Sequence, residues 1–298
     1  MIAALLGTVL TACQKEMDVL PKEEIPQEEQ LWTLSVEVGD ITKAMTLDGS
    51  KLSSTWAAGE KVNVFYGDTY LGTLTASTPA DKKATLSGTI KKVAGVEAGA
   101  SLTMLFPGRD DHKWTYIGQD GSAPSAAGTM AKGYDYAKAS LTVDAVDLEK
   151  KEITATVSEA FTSQQSVYRF AFNVSSSPIA VKSFTLTSDQ DKLVREREYE
   201  GGEWKSSHGS LTVSPTADPA GNLYYMTLRN ENTTVADTYT FSVVGKADNA
   251  LYEGTKTISN VANLGQGKFL GMGVDISKKA FAPVPPATGT IDDSAEVL

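Results

Sequence analysis

The sequence predicts an all-β protein built from β-sandwiches, and three observations carry that expectation. The first stretch after the N-terminal region alternates strictly between apolar and polar residues. About fourteen short strand-like runs follow at spacings near ten residues, separated by turn signals. Almost no segment of helix length shows a helical period.

In chain order, residues 31–38 read LWTLSVEV, which puts Trp32, Leu34, Val36 and Val38 on one parity and leaves Thr33, Ser35 and Glu37 on the other. A strand with that pattern buries one face. Runs at 61–66, 70–75, 84–90, 102–106 and 152–157 continue a first series. A second series falls at 167–174, 181–186, 193–199, 210–213, 223–228, 238–244, 251–258 and 268–276. Asp48-Gly49, Gly67-Asp68, Asp120-Gly121 and Gly201-Gly202 lie among the separators, and such pairs supply the positive φ that tight turns require. Brief helical candidates lie at 93–99 and 126–137. No repeat of fixed period argues for a propeller or solenoid. The least patterned stretch, 158–166, places a domain boundary, giving a first sandwich at 31–162 and a second at 163–276.

The N-terminal region reads as an export signal. Residues 2–10 are apolar, too short a run to cross a bilayer as a helix, and they end in Leu10-Thr11-Ala12-Cys13. The chain's single cysteine falls there. This resembles the lipobox of bacterial lipoproteins, in which the cysteine is acylated and becomes the new N-terminus, making residues 1–12 a signal peptide. No Lys or Arg precedes the run, where a signal peptide carries positive charge, so the natural start is expected a few residues earlier. Residues 13–30 hold six acids, two lysines and two prolines without apolar periodicity. They read as a solvated tether, either a surface-export address or a plain spacer.

The chain carries 27 basic and 37 acidic residues, a net charge of −10, which excludes a basic phosphate-binding face and so a nucleic-acid partner. One cysteine and two histidines exclude intrachain disulfides and thiolate or imidazole metal clusters. No nucleophile, phosphate-loop or dinucleotide motif fits; the glycines at 265, 267, 271 and 273 accompany the last strand and do not open a helix. No enzymatic activity, cofactor or metal is expected. Arg109-Asp110-Asp111-His112 reads as a turn after Phe106-Pro107-Gly108, Asp189 and Asp191 as half a calcium loop lacking its glycine and glutamate, and His208 as a loop residue without a nearby partner. Trp32 and Trp56 are expected in the core, whereas Trp114 and Trp204 stand open between core and an exposed sugar-stacking platform.

Several motifs, taken in order, resemble the fimbrillin-type pilins of type V pili: Thr42-Lys43-Ala44, residues 52–56 (LSSTW), Gly59-Glu60-Lys61-Val62, Thr85-Leu86-Ser87-Gly88, and 166–186 opening with Val167-Tyr168-Arg169-Phe170. The resemblance implies two tandem transthyretin-like β-sandwich domains and a lipoprotein at the outer face of the cell outer membrane. It further implies a structural subunit of a fimbrium that serves cell adhesion and assembles by proteolysis-triggered strand exchange. Its partners would be other fimbrial subunits, the outer membrane through the lipid anchor, and a host or bacterial surface ligand. The maturing cut maps onto the Lys43-Ala44 bond, where better-known members carry Arg, and the displaced strand is the one bearing Trp32, Leu34, Val36 and Val38. Lys43 also reads as an ordinary loop lysine. Residues 277–298 form a C-terminal extension, proline-rich at 283–286, which is a poor ladder former; 268–276 and the sparse apolar positions Ile291, Val297 and Leu298 are the remaining donor candidates. The alternative reading is a monomeric surface lipoprotein that binds glycan or protein.

Overall fold

The computed structural model describes residues 30–39, 46–48, 51–53, 56–80, 83–123, 133–231, 236–258 and 266–279. The described residues from Leu31 onward belong to one compact unit. Its first half contains β1 (Leu31–Val38), β2 (Thr46–Asp48), β3 (Lys51–Ser53), β4 (Lys61–Tyr66), β5 (Thr69–Ala76), β6 (Ala84–Lys91), β7 (Ser101–Phe106), β8 (Lys113–Thr115), β9 (Ala137–Asp147) and β10 (Glu152–Ser163). The second half contains β11 (Ser166–Val174), β12 (Ser177–Pro178), β13 (Val181–Ser188), β14 (Val194–Glu200), β15 (Glu203–His208), β16 (Leu211–Val213), β17 (Tyr224–Leu228), β18 (Asp237–Gly245), β19 (Leu251–Ile258), β20 (Phe269–Asp275) and β21 (Ser277–Lys278). The all-β class read from the sequence is the class of the molecule.

Seven strands of the first half close into a barrel in the order β1-β10-β9-β7-β4-β5-β6. The alternation in β1 sends Trp32, Leu34, Val36 and Val38 inward, all at most 3% exposed. Local chemistry shapes the hairpins. Gly67, at φ 57°, lets β4 turn directly into β5. Asp147 Oδ1 accepts from the backbone N–H groups of Glu149 and Lys150, both at 3.0 Å, turning β9 into β10. Where β5 and β6 cross, only glycine fits: a Cβ on Gly88 would lie 2.4 Å from the Thr73 carbonyl oxygen. Trp56 packs edge-on to Phe106 and Phe161, with ring centroids 5.7 and 5.3 Å away, within the barrel core.

In the second half, a layer with β11 at its centre, flanked by β17 and β20, faces a layer ordered β16-β13-β18-β19-β21. Phe170 and Phe172 from β11 meet Phe184 and Phe241 from the opposite layer at centroid distances of 4.8–5.9 Å. A third small sheet, β15-β14-β8, takes its outer strand from the first half of the chain. Trp114 on β8 stacks on Tyr136 at 5.0 Å and shares a core with the second-half aromatics. Another first-half residue, Gln119, does the work of a missing strand. Its amide nitrogen donates to the Thr227 carbonyl and its amide oxygen accepts from Thr227 N–H, both at 2.7 Å, so β17 keeps a bonded edge.

Only Gln164 and Gln165 lie between β10 and β11. Gln165, 1% exposed, accepts from Tyr136 N–H at 3.1 Å and donates to Asp135 Oδ1 at 3.1 Å and to Ser163 Oγ at 3.0 Å. Arg229 Nη1 donates to the Gln164 carbonyl at 2.7 Å.

The structure departs from the sequence expectations in places. β9, eleven residues long, was absent from the predicted strands because two of its four inward positions are Ala137 and Ala139, too small to stand out as apolar beats. Residues 93–99 form turns rather than a helix: Val96 is buried, but Gly95 and Gly99, at φ 88° and 89°, break any helical path. Residues 126–132 of the second helical candidate lie outside the described residues.

The Gly88 contact gives a test of barrel closure. Gly88→Ala should cost about 1–3 kcal/mol, because the clash is with backbone rather than a movable side chain. Chemical denaturation of the two proteins measures the difference.

Candidate functional site

Four of the residues singled out by sequence, Trp32, Leu34, Val36 and Val38, lie on one element, β1. It bonds neighbours along both edges. Toward β6 it runs antiparallel through eight pairs, from Leu31 opposite Lys91 to Val38 opposite Ala84. Toward β10 it runs parallel through Thr33 and Glu152, Leu34 and Ile153, and Ser35 and Thr154. Lys83 Nζ meets Glu37 Oε1 at 2.8 Å, an exposed pair contributing at most about 1 kcal/mol, and Lys92 lies 5.7 Å from the Trp32 ring centroid. The inward side chains carry the energy. Four large apolar groups at about 1.5–3 kcal/mol each amount to roughly 6–12 kcal/mol, the same order as the whole stability of a small domain. Cys13, Lys43 and Ala44 lie outside the described residues, so the structure brings together the four strand residues only.

A strand of the second half is built to the same pattern. Residues 269–276 read FLGMGVDI against LWTLSVEV at 31–38. Leu270, Met272, Val274 and Ile276 match Trp32, Leu34, Val36 and Val38; glycines match Thr33 and Ser35, and Asp275 matches Glu37. Among the described strands β20 pairs with β11 alone, in parallel, from Phe269 opposite Val167 to Asp275 opposite Asn173. Of its apolar row, Val274 and Ile276 are buried and Leu270 and Met272 only partly so. Both halves therefore pair their first long strand in parallel with their last.

The other candidates resolve differently. Trp114 is 2% exposed, and Trp204 packs against it at 4.0 Å with the Arg197 guanidinium 4.5 Å from its ring centre, so the two form no open platform. The 109–112 segment is a turn: Asp111 Oδ1 accepts from Lys113 N–H at 3.1 Å, and His112 packs against Phe65 and Tyr70. Asp191 adopts a left-handed turn at φ 50°.

The expectation that His208 lacks a partner is wrong. Its Nε2 lies 2.9 Å from Glu231 Oε2, a partner 23 residues away that only the fold brings near. Glu231 is the centre of a cluster that the sequence did not reveal. Ser206 Oγ donates to its Oε1 at 2.8 Å, and Arg197 Nε and Arg229 Nε lie 3.5 and 3.6 Å from the same oxygen. Burial pushes the Glu231 carboxyl up, but hydrogen bonds from Ser206 and His208 and the two guanidinium charges outweigh it and hold it below its ordinary value. Burial lowers Arg197 to about 10, and the charge of Arg229 acts in the same direction. The one signal in the sequence was Arg197 two residues before Tyr199, on the same side of β14.

A carboxyl depressed in the folded state stabilises above its unfolded value, and that stabilisation is lost as pH falls through the folded one. Wild-type protein should therefore lose stability below about pH 4.5, and Glu231→Gln should lose less over the same interval while being less stable at neutral pH. Thermal midpoints taken across that range check both.

No protein-family model matches the chain, and no curated protein matches it. Solved structures do. A candidate cell-adhesion protein from Bacteroides uniformis matches at 15% identity and a TM-score of 0.44, covering 85% of this chain and 97% of its own. A similarly described protein from Bacteroides ovatus matches at 12% and 0.44, covering 85% and 96%. The fimbrial anchor protein Mfa2 from Porphyromonas gingivalis matches at 13% and 0.39, covering 78% and 83%. These three structures are described as fimbrial or candidate cell-adhesion proteins.

Proposed function

We propose that the chain is a structural subunit of a cell-surface fimbrium serving adhesion. It is anchored in the outer membrane through acylated Cys13 and assembled by cleavage at Lys43-Ala44 followed by exchange of β1 for a strand of a neighbouring subunit. The observation that carries the reading is the double pairing of β1. Losing this strand opens the barrel along two edges at once and uncovers an apolar slot, which an incoming strand refills by hydrogen bonding to both β6 and β10.

The magnitudes constrain the route. Because β1 contributes an amount comparable to domain stability, its departure and the arrival of a replacement are coupled, each incoming residue displacing one of the old. The replacement must run in the direction of β1 and place four apolar side chains at alternate positions. Residues 269–276 meet that requirement, and among the described strands β20 is bonded along one edge only. Cleavage at Lys43 removes the covalent link that would otherwise return β1 to its slot.

Two experiments test the reading. Cys13→Ala should yield unacylated protein that no longer fractionates with membranes; recovery in the outer membrane at the parental level overturns the anchor. Limited trypsin treatment should create an N-terminus at Ala44 and then oligomers that resist mild denaturant. Lys43→Gln should stay monomeric under the same treatment, and an excess of synthetic peptide with the sequence of residues 31–38 should suppress the oligomers. Equal polymerisation of Lys43→Gln and parent would show that this bond is not the switch.

A further inference from the structure

A cleft of about 630 Å³ opens between the first-half segment 117–120 and the strand region around β16 in the second half. One wall follows from strand parity. On β16 Leu211 and Val213 are buried, while Ser210, Thr212, Ser214 and Thr216 are exposed, and the Thr212 hydroxyl lies 2.8 Å from that of Thr185 on the neighbouring β13. The facing wall presents Ile117, 37% exposed, with Gly118, Gln119 and Asp120. Arg195, exposed on β14, completes the lining.

The segments that line the cleft are bonded to one another, Gln119 bridging Val213 in parallel. Ser214 N–H donates to the Gln119 carbonyl at 3.1 Å, and Tyr116 N–H to the Arg195 carbonyl at 2.8 Å. Gln119 is locked on Thr227 as described above. The Asp120 carboxylate accepts from Thr216 N–H and Ser122 N–H, each at 2.9 Å, and from the Thr216 hydroxyl. Those bonds outweigh its partial burial and hold it ionised. Among the described residues Arg195 makes no ion pair, although Arg197, two residues on, faces Glu231.

We propose that this cleft binds a carboxylate-bearing oligosaccharide, with Arg195 taking the sugar carboxylate, Asp120 accepting from sugar hydroxyls, and the Ser210, Thr212 and Ser214 hydroxyls reading the chain between them. Each hydroxyl both donates and accepts, which suits a ligand whose own groups do the same. The single guanidinium offers a planar fork for one carboxylate. The other ligand classes fit poorly. A nucleic acid needs several cations, and this cleft has one. An added peptide strand needs free backbone groups, and the Gln119 carbonyl already occupies Ser214 N–H. An apolar ligand would find Ile117 as the one aliphatic side chain of the lining.

This inference goes beyond the assembly reading and does not depend on it, because the cleft lies wholly on described residues of the uncleaved chain. Calorimetric titration of the full, uncleaved chain with tetragalacturonic acid and with maltotetraose tests it. The acidic tetramer should bind at millimolar concentrations or below and at least about tenfold more tightly than the neutral one. High salt should weaken it. Arg195→Gln, an exposed substitution, should cost roughly ten- to hundredfold, and Thr212→Val a few fold, with unchanged circular dichroism. Failure of the acidic tetramer to bind, equal binding of the two sugars, or undiminished binding by Arg195→Gln overturns the proposal.

Discussion

Closure of the barrel by β1 is the constraint on which the rest of the structure depends. Without that strand, β6 and β10 present open edges and the aliphatic interior loses one wall; with it, no edge of the seven-stranded path is left. The two seams are unequal. The β6 seam runs the length of the strand, whereas the β10 seam is limited to three pairs before β10 bulges between Thr154 and Ala155. The same β10 continues toward β11, so the position of the closing strand is felt by the strand at the centre of the sandwich layer.

The two cores communicate through polar groups as much as apolar ones. The side chains of Gln119, Gln164, Gln165 and Arg229 each bond to main-chain groups that strands would otherwise have to pair, whereas Glu231 gathers side chains alone. An amide that both donates and accepts can stand in for a peptide group, as Gln119 does opposite Thr227. Such networks fix one arrangement because a partial version leaves buried groups unpaired.

Legibility in the sequence followed the range of the interactions. β1 was readable because a strand with one buried face writes its parity into consecutive residues, and Trp32, Leu34, Val36 and Val38 have no competitor for that reading. β9 was hidden by its inward alanines, and β8 and β12 are too short to make a pattern. Turns at Gly67 and Gly201-Gly202 were legible because positive φ has a residue preference. The Glu231 cluster and the Arg195 cleft were not, since each joins residues that only the fold makes neighbours. For the same reason His208 looked solitary. The likeness of β20 to β1 was present as eight letters, but it gains meaning only once both are seen paired in parallel beside another long strand.

The two-residue joint between barrel and sandwich has a mechanical consequence. Two residues span at most about 7 Å when fully drawn out, and Gln164 and Gln165 are already fastened by side-chain and main-chain bonds to Tyr136, Asp135, Ser163 and Arg229. Gly267 N–H adds another, to the Gln165 carbonyl at 2.8 Å. The joint has no slack with which to absorb a pull. Tension applied across the molecule passes directly from the ladder of β10 to that of β11, loading many hydrogen bonds in shear along the strand axes instead of opening them one at a time. Barrel and sandwich thus share load through this joint and not through a loose linker.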